Sequence, residues 1–137
     1  FFYDEDLWAC EAVAGTLEGQ AECLRKKYLS EETLSIIGCM DVLVGVRLHS
    51  LIYAAIMGTP MIGISYDPKV DSFLASIGQS APFTVEDFTL EKFQAAFQDT
   101  LERREELRES TARRLDSLIA KLDRNEELIR AIMERKK

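Results

Sequence analysis

The chain has 137 residues, of which 30% are charged, and a formal net charge of -7. Length of this order suits one domain with a real core, and the acidic balance disfavours nucleic acid, whose phosphates call for clustered Lys and Arg. The longest apolar stretch is interrupted by Arg47, His49 and Gly58, so no segment reads as a bilayer span, and no signal peptide is visible. Three cysteines, Cys10, Cys23 and Cys39, are odd in number and lack C-x-x-C spacing, which argues for reduced thiols rather than a disulfide framework or a zinc site. A single histidine excludes a multi-histidine metal centre. The chain opens on Phe1-Phe2-Tyr3 without an initiator Met, and we read it as part of a longer protein.

In chain order, Phe1 to Tyr3 reads as the tail of a strand, with Asp4 as the N-cap of a helix to about Ala14. Ala21 to Tyr28 has weak periodicity; a short strand near Glu22 to Arg25 and continued helix both fit. Ser30, followed by Glu31 and Glu32, starts a helix to about Met40 that buries Leu34, Ile37 and Cys39 or Met40. Asp41 to Val46 is a Val-rich apolar run, the pattern of a parallel strand buried on both faces. Leu48 to Met57 is apolar almost all round, the pattern of a core helix, and Gly58 is placed to end it. Thr59-Pro60 turns the chain into a second buried strand, Met61 to Ser65, and Tyr66-Asp67-Pro68-Lys69 makes a polar turn. These elements form a βαβ unit.

Val70 to Ile77 then reads as a short helix stopped by Gly78, and Pro82-Phe83-Thr84 as loop or a short edge strand. Thr89 caps a helix with Leu90, Phe93, Phe97 and Leu101 at spacings of three and four. From Glu102 onward the chain is strongly charged with a narrow seam of Leu115, Leu118, Leu122, Ile129 and Ile132, expected as one long amphipathic helix or a pair. That seam has three available fates: covering the sheet, forming a homo-oligomer, or meeting another part of the parent protein. The domain division read from these patterns is residues 1–88, a Rossmann-like α/β domain lacking its opening strand, and 89–137, C-terminal helices packed on it or extending from it.

Ligands of open parallel sheets bind beyond the carboxyl ends of the strands. Arg47-Leu48-His49-Ser50 is one such turn, and a right-handed crossover brings Tyr66-Asp67-Pro68-Lys69 to the same edge. Arg47, His49, Ser50, Tyr66 and Lys69 therefore form a candidate site. A cation at a helix N-terminus opposes the macrodipole at a cost of typically ~0.3–1 kcal/mol, whereas a bound anion would satisfy the dipole, the free N–H groups and Arg47 together. The competing structural role is an Arg47 pair with Asp41 or Asp67 and a helix-capping or quietly packed His49. Without a second histidine, Ser50 is no triad nucleophile, and neither G-x-G-x-x-G nor G-x-x-x-x-G-K-[ST] occurs.

The stretch GVRLHSLIYAAIMGTPMIGISYDPKVDSF, with its R-x-H-S and Y-D-P-K turns around the βαβ unit, closely resembles the C-terminal half of bacterial polysaccharide pyruvyl transferases of the cell-surface-anchoring type. The likeness extends more weakly to Ser30-Glu31-Glu32 and Asp4-Glu5-Asp6-Leu7, about the first 80 residues. It implies a Rossmann-like three-layer domain with a mostly parallel sheet, the C-terminal half of a two-domain GT-B fold. It implies transfer of pyruvate from phosphoenolpyruvate, with no further cofactor and no metal, to a sugar of a lipid-linked cell-wall polysaccharide precursor, typically N-acetylmannosamine. The product is a cyclic ketal that anchors S-layer proteins. Carried onto this chain, Arg47 and His49 are the catalytic pair and, with the Leu48 backbone, belong to the phosphoenolpyruvate site; Lys69 is a further member. His49 would be the general acid or a cationic phosphate contact. The resemblance also implies a partner half that carries the acceptor base, a cytoplasmic location at the inner face of the membrane, and inactivity of this part alone. Two other functions fit the residues: a nucleotide-sugar glycosyltransferase or epimerase of the same architecture, and a non-catalytic α/β interaction module.

Overall fold

The computed structural model describes residues 3–134, and the chain divides into two compact units, Phe1–Thr33 and Leu34–Lys137. The strand tail expected at the N-terminus falls on Phe1 and Phe2, outside the described residues. Tyr3 itself opens helix α1 (Tyr3–Thr16), so Asp4 lies inside the helix instead of capping it, and Gly15 is carried within its last turn. Gly19, with φ 82°, and the following residues break the helix. Glu22 to Arg25 is neither strand nor helix but irregular backbone held to α1 by Arg25 Nε on Glu11 Oε1 at 2.9 Å. Desolvation, and then the neighbouring Cys10, push the Cys23 pKa up; all three cysteines are free thiols.

Helix α2 (Ser30–Gly38) runs from one unit into the next. Its N-terminus is closed by Glu32, which accepts from the Leu29 N–H at 2.8 Å in the manner of a capping-box glutamate. It ends two residues earlier than its pattern suggested, because Gly38 and the turn through Met40 redirect the chain; Ile37 is buried, Met40 packs on the core and Cys39 is exposed.

The second unit is built on a three-stranded parallel sheet, ordered β1 (Leu43–Gly45), β2 (Met61–Ser65), β3 (Phe83–Thr84). Between them run α3 (Leu48–Met57), α4 (Pro68–Ser76) and, after β3, α5 (Leu90–Glu102) and α6 (Arg104–Glu134). The observed class is α/β with a small open parallel sheet. Met61, Gly63 and Ser65 share one face of β2, and a Cβ on Gly63 would meet Leu74 and Leu51, so α3 and α4 cover that face. Ile62 points the other way, into a cleft walled by Ala96 and Thr100, so α5 covers the opposite face. β2 is accordingly buried on both sides.

β1 differs from expectation. It has three residues rather than six and is covered on one face only: Leu43 is buried under α3, whereas Val44 and Val46 are exposed. Val-rich sequence records readiness for burial, but burial needs a covering element, and α5 lies over β2.

α3 matches its expected bounds. Gly58 sits at φ 68°, in the left-handed region that glycine adopts without a Cβ penalty, and the cap N–H groups return to Ala54 and Ala55 carbonyls. Leu51, Ala54 and Ala55 are buried, while Ile56 and Met57 at its C-terminal end are exposed, so this helix is a core helix on one side only. α4 starts two residues earlier than expected because Asp67 caps it and Pro68 fits the first turn.

The α5 entry is held by short side chains. Thr89 Oγ1 accepts from the Lys92 N–H at 3.2 Å, as its position predicted. Asp87 accepts from the Thr84 backbone and hydroxyl and from Lys92 Nζ at 2.6 Å. These contacts, Lys92 first, lower the Asp87 pKa from 3.8 to about 2. A depressed carboxylate contributes stability above its unfolded pKa and loses it as pH falls through the folded value. Asp87→Asn should therefore destabilise the second unit near neutral pH, and the gap to wild type should close between pH 3.8 and about 2 in urea melts. A gap constant across that window would contradict the assignment. Phe83, Phe88, Phe93 and Phe97 stack beside this turn with successive centroids 5.1–6.0 Å apart, although Leu90 and Phe97 remain partly exposed.

The charged C-terminal region forms one long helix, α6, parted from α5 by a break at Arg103, whose guanidinium bridges Asp99 and Glu106. The first half of α6 lies on the carboxyl ends of α3 and α4. Arg108 Nε donates to the Gly58 carbonyl at 2.9 Å, Gln79 Nε2 donates to buried Thr111 at 2.8 Å, and Leu118 packs on the core. Among the described residues no helix is long and apolar enough to cross a membrane.

Candidate functional site

Three residues position the β1–α3 turn. Gly45 ends β1 with no room above it: a Cβ there would come 2.7 Å from Ser50 Oγ and 3.1 Å from Leu51. Ser50 Oγ donates to the Arg47 carbonyl at 2.7 Å, tightening the first turn of α3 over the strand end. Arg47 is the N-cap residue in extended backbone (φ -81°, ψ 128°), with no side-chain cap on the helix and no acidic residue in its first turn. Four expected site residues thus come together here: half-buried Arg47, the Leu48 and His49 backbone at the helix start, the exposed His49 ring, and Ser50. Ser50 is occupied in holding the turn.

The β2–α4 turn has the opposite electrostatics. Asp67 caps α4 by accepting from the Lys69 N–H at 2.9 Å, and Asp71 adds a second carboxylate in the first turn. The Asp67 pKa is lowered, chiefly by that backbone bond. Lys69 Nζ lies 3.5 Å from Asp67 and 5.3 Å from the Tyr66 ring centroid. Its contact with Tyr66, then Asp67, raises its pKa, so it stays cationic. Tyr66 and Lys69 therefore form a local pair on an exposed turn.

Topology sets the two turns side by side. β1 and β2 are adjacent and parallel, with Gly45 opposite Gly63, so the chain leaves both strands at the same edge, and neighbouring strands are about 4.8 Å apart. One α-helix N-terminus at this edge is carboxylate-capped and the other carries an arginine. An anion arriving here meets favourable charge at α3 and an occupied cap at α4.

Reading by motif passes over Ser65 and Asp71. Ser65, buried at the end of β2, donates to Asp71 Oδ2 at 2.7 Å and ties the strand end to α4. Its signal in the sequence, a polar residue closing an apolar strand, is present but common. A cleft of about 400 Å³ opens elsewhere, lined by Met61, Gln79, Ser80, Asp99 and Arg103 at the amino end of β2, away from both turns. Among the described residues no group of three or more His, Cys, Asp or Glu is arranged to hold a metal.

The family model described as polysaccharide pyruvyl transferase matches residues 15–68. Over this segment, less than half of the chain, the protein is similar to that family. The pyruvyl transferase match contains β1, α3 and β2 whole, and with them Arg47, Leu48, His49, Ser50 and Tyr66; it stops one residue short of Lys69 and excludes α5 and α6. No curated protein and no solved structure matches the chain. The family it resembles there is one of transferases.

Proposed function

We propose that the β1–α3 turn is the phosphoenolpyruvate-binding part of a pyruvyl transferase that forms a ketal on a sugar of a cell-wall polysaccharide precursor. The observation that carries this reading is the arginine at the uncapped N-terminus of α3, inside the segment that matches the family. Phosphoenolpyruvate offers a carboxylate and a phosphate; a guanidinium fork and two helix N–H groups suit one of them. In the reaction, C3 of the enol takes a proton and C2 becomes electrophilic. One sugar hydroxyl adds to C2, phosphate leaves with the C2–O bond, and a second hydroxyl closes the ketal as both hydroxyl protons are lost. His49, exposed at the second position of α3, supplies the proton to C3, and Lys69, which stays cationic on the neighbouring turn, meets the second anionic group. The sugar enters from a second half of a GT-B arrangement, which supplies the base that takes the hydroxyl proton. Lipid-linked acceptors would place the reaction at the cytoplasmic membrane face, and the pyruvylated polymer would serve S-layer anchoring.

Isothermal titration of the chain with phosphoenolpyruvate, set beside a nucleoside diphosphate sugar, tests the reading. Saturable phosphoenolpyruvate binding that weakens with added salt is expected. Binding of the nucleotide sugar without phosphoenolpyruvate would assign the turn to a glycosyltransferase or epimerase, and binding of neither would remove the small-molecule role from this turn.

A further inference from the structure

The chain reverses direction after α1. Thr16 Oγ1 donates to the Val13 carbonyl at 2.7 Å, and Glu18 and Gly19, at φ 44° and 82°, take the left-handed backbone that turns the following residues back toward the helix. The return is pinned by Arg25, whose Nε meets Glu11 Oε1 at 2.9 Å across 14 positions of sequence. In the irregular backbone before Arg25, exposure alternates: Ala21 and Cys23 are half-buried, Glu22 and Leu24 exposed. Cys23 therefore faces inward, two residues before the pinned arginine. The residue before Glu11 on α1 is Cys10, and Cys10, Glu11 and Arg25 are the charged or ionisable neighbours that act on the Cys23 thiol. Two thiols thirteen residues apart in the chain thus share one small cluster, although no motif spacing joins them. The ion pair that holds the segment is weak by position: its side chains are 66% and 45% exposed, and pairs so wet contribute little. In the reduced protein the stretch between α1 and α2 opens readily from α1.

We propose that Cys10 and Cys23 are a reversible thiol–disulfide pair, linked on oxidation by a low-molecular-weight disulfide, and that the link fastens the stretch between α1 and α2 onto α1. Cys10, the more exposed of the two, attacks the small disulfide first and releases one small thiol, leaving a mixed disulfide on Cys10. Cys23 then attacks the Cys10 sulfur and displaces the second small thiol. One S–S bond of the reagent and two protein S–H bonds become one protein S–S bond and two small-molecule thiols; the protein gives up two protons and two electrons, and the reagent takes them. Desolvation keeps Cys23 protonated to higher pH, which suits it to the second step, where proximity to the mixed disulfide drives the attack. A bridge closing a loop of this length restrains the opened chain, the state that the exposed ion pair fails to prevent. Cys39 belongs to the other compact unit and serves as the internal control.

Equilibration of the full chain in buffers of reduced and oxidised glutathione, followed by alkylation, trypsin and mass spectrometry, tests the pair. Arg25 is the first lysine or arginine of the sequence, so one tryptic peptide carries both Cys10 and Cys23, and Cys39 falls on another. The Cys10–Cys23 link should form with an equilibrium constant at least tenfold greater in the native chain than in urea, with Cys39 left open to alkylation. Arg25→Ala, read on the peptide ending at Lys26, should lower the native constant at least threefold. Native trypsin cleavage after Arg25 should slow at least tenfold once the link has formed. A pair that links no better folded than unfolded overturns the proposal, as do separate glutathione adducts on the two cysteines in place of the link. Equal cleavage rates in the two redox states overturn the fastening of the segment, and an unchanged constant in Arg25→Ala overturns its positioning by the ion pair.

Discussion

Leu51→Ala should cost the sheet-bearing unit ~2–5 kcal/mol, the range for a fully buried leucine truncated to alanine. Leu51 has no exposed surface, and its two methyl groups sit over the two glycines that face each other across the sheet: a Cβ on Gly45 would lie 3.1 Å from Cδ2, and one on Gly63 3.3 Å from Cδ1. The glycines let α3 approach β1 and β2 closely, and Leu51 fills the space they leave. The surrounding side chains cannot collapse into the resulting cavity, since Leu74 and Val70 are also fully buried and Leu74 already touches Gly63 from the other helix. Against total stabilities of ~5–15 kcal/mol, the loss is large enough to lower the melting temperature by about ten degrees or more. Urea unfolding should show a shifted midpoint with an unchanged slope, while exposed His49→Ala on the same helix stays within ~0.5 kcal/mol of wild type. A Leu51→Ala penalty below about 1 kcal/mol would mean that the α3–sheet contact is looser than its burial indicates.

The same two strands show what sequence can and cannot specify. β2 and α3 were legible to the residue because their limits are chemical: Gly58 can take positive φ, Pro60 cannot continue a helix, and Asp67-Pro68 starts the next one. β1 was legible as a strand but not in extent or coverage, because Val44 and Val46 read the same whether or not a helix lies over them. Glu22 to Arg25 formed neither of its two candidate structures; weak periodicity left the backbone irregular, with Arg25 paired to Glu11. At the candidate site, the grouping of the two turns followed from parallel topology alone. The local roles did not. Whether Lys69 turns to Asp67 and Tyr66, or Ser65 to Asp71, depends on rotamers and short contacts that no spacing encodes. The contrast between a capped α4 and an uncapped, arginine-bearing α3 emerges only when both turns are seen together, and it directs attention to the first.

Arg47→Ala should reduce phosphoenolpyruvate affinity by about 10²–10³-fold, and Arg47→Lys by about tenfold. Hydrogen bonds to charged groups contribute ~1.5–3 kcal/mol each, and a guanidinium placed at an uncapped helix start can make two to one carboxylate or phosphate. Lysine keeps the charge but presents a single point donor, so it retains the Coulombic part and loses the fork. The helix N–H groups of Leu48 and His49 remain in both variants, and residual binding should therefore persist and fall with salt. Arg47→Ala also takes a cation off the positive end of α3, a term worth ~0.3–1 kcal/mol in favour of stability that Arg47→Lys leaves unchanged. Titration calorimetry alongside thermal unfolding separates binding from stability: the expected result is weaker phosphoenolpyruvate binding by a protein that still unfolds cooperatively. If Arg47→Ala binds phosphoenolpyruvate as wild type does, the guanidinium is a structural partner of the turn, and the anion site must be sought at Lys69 on the neighbouring one.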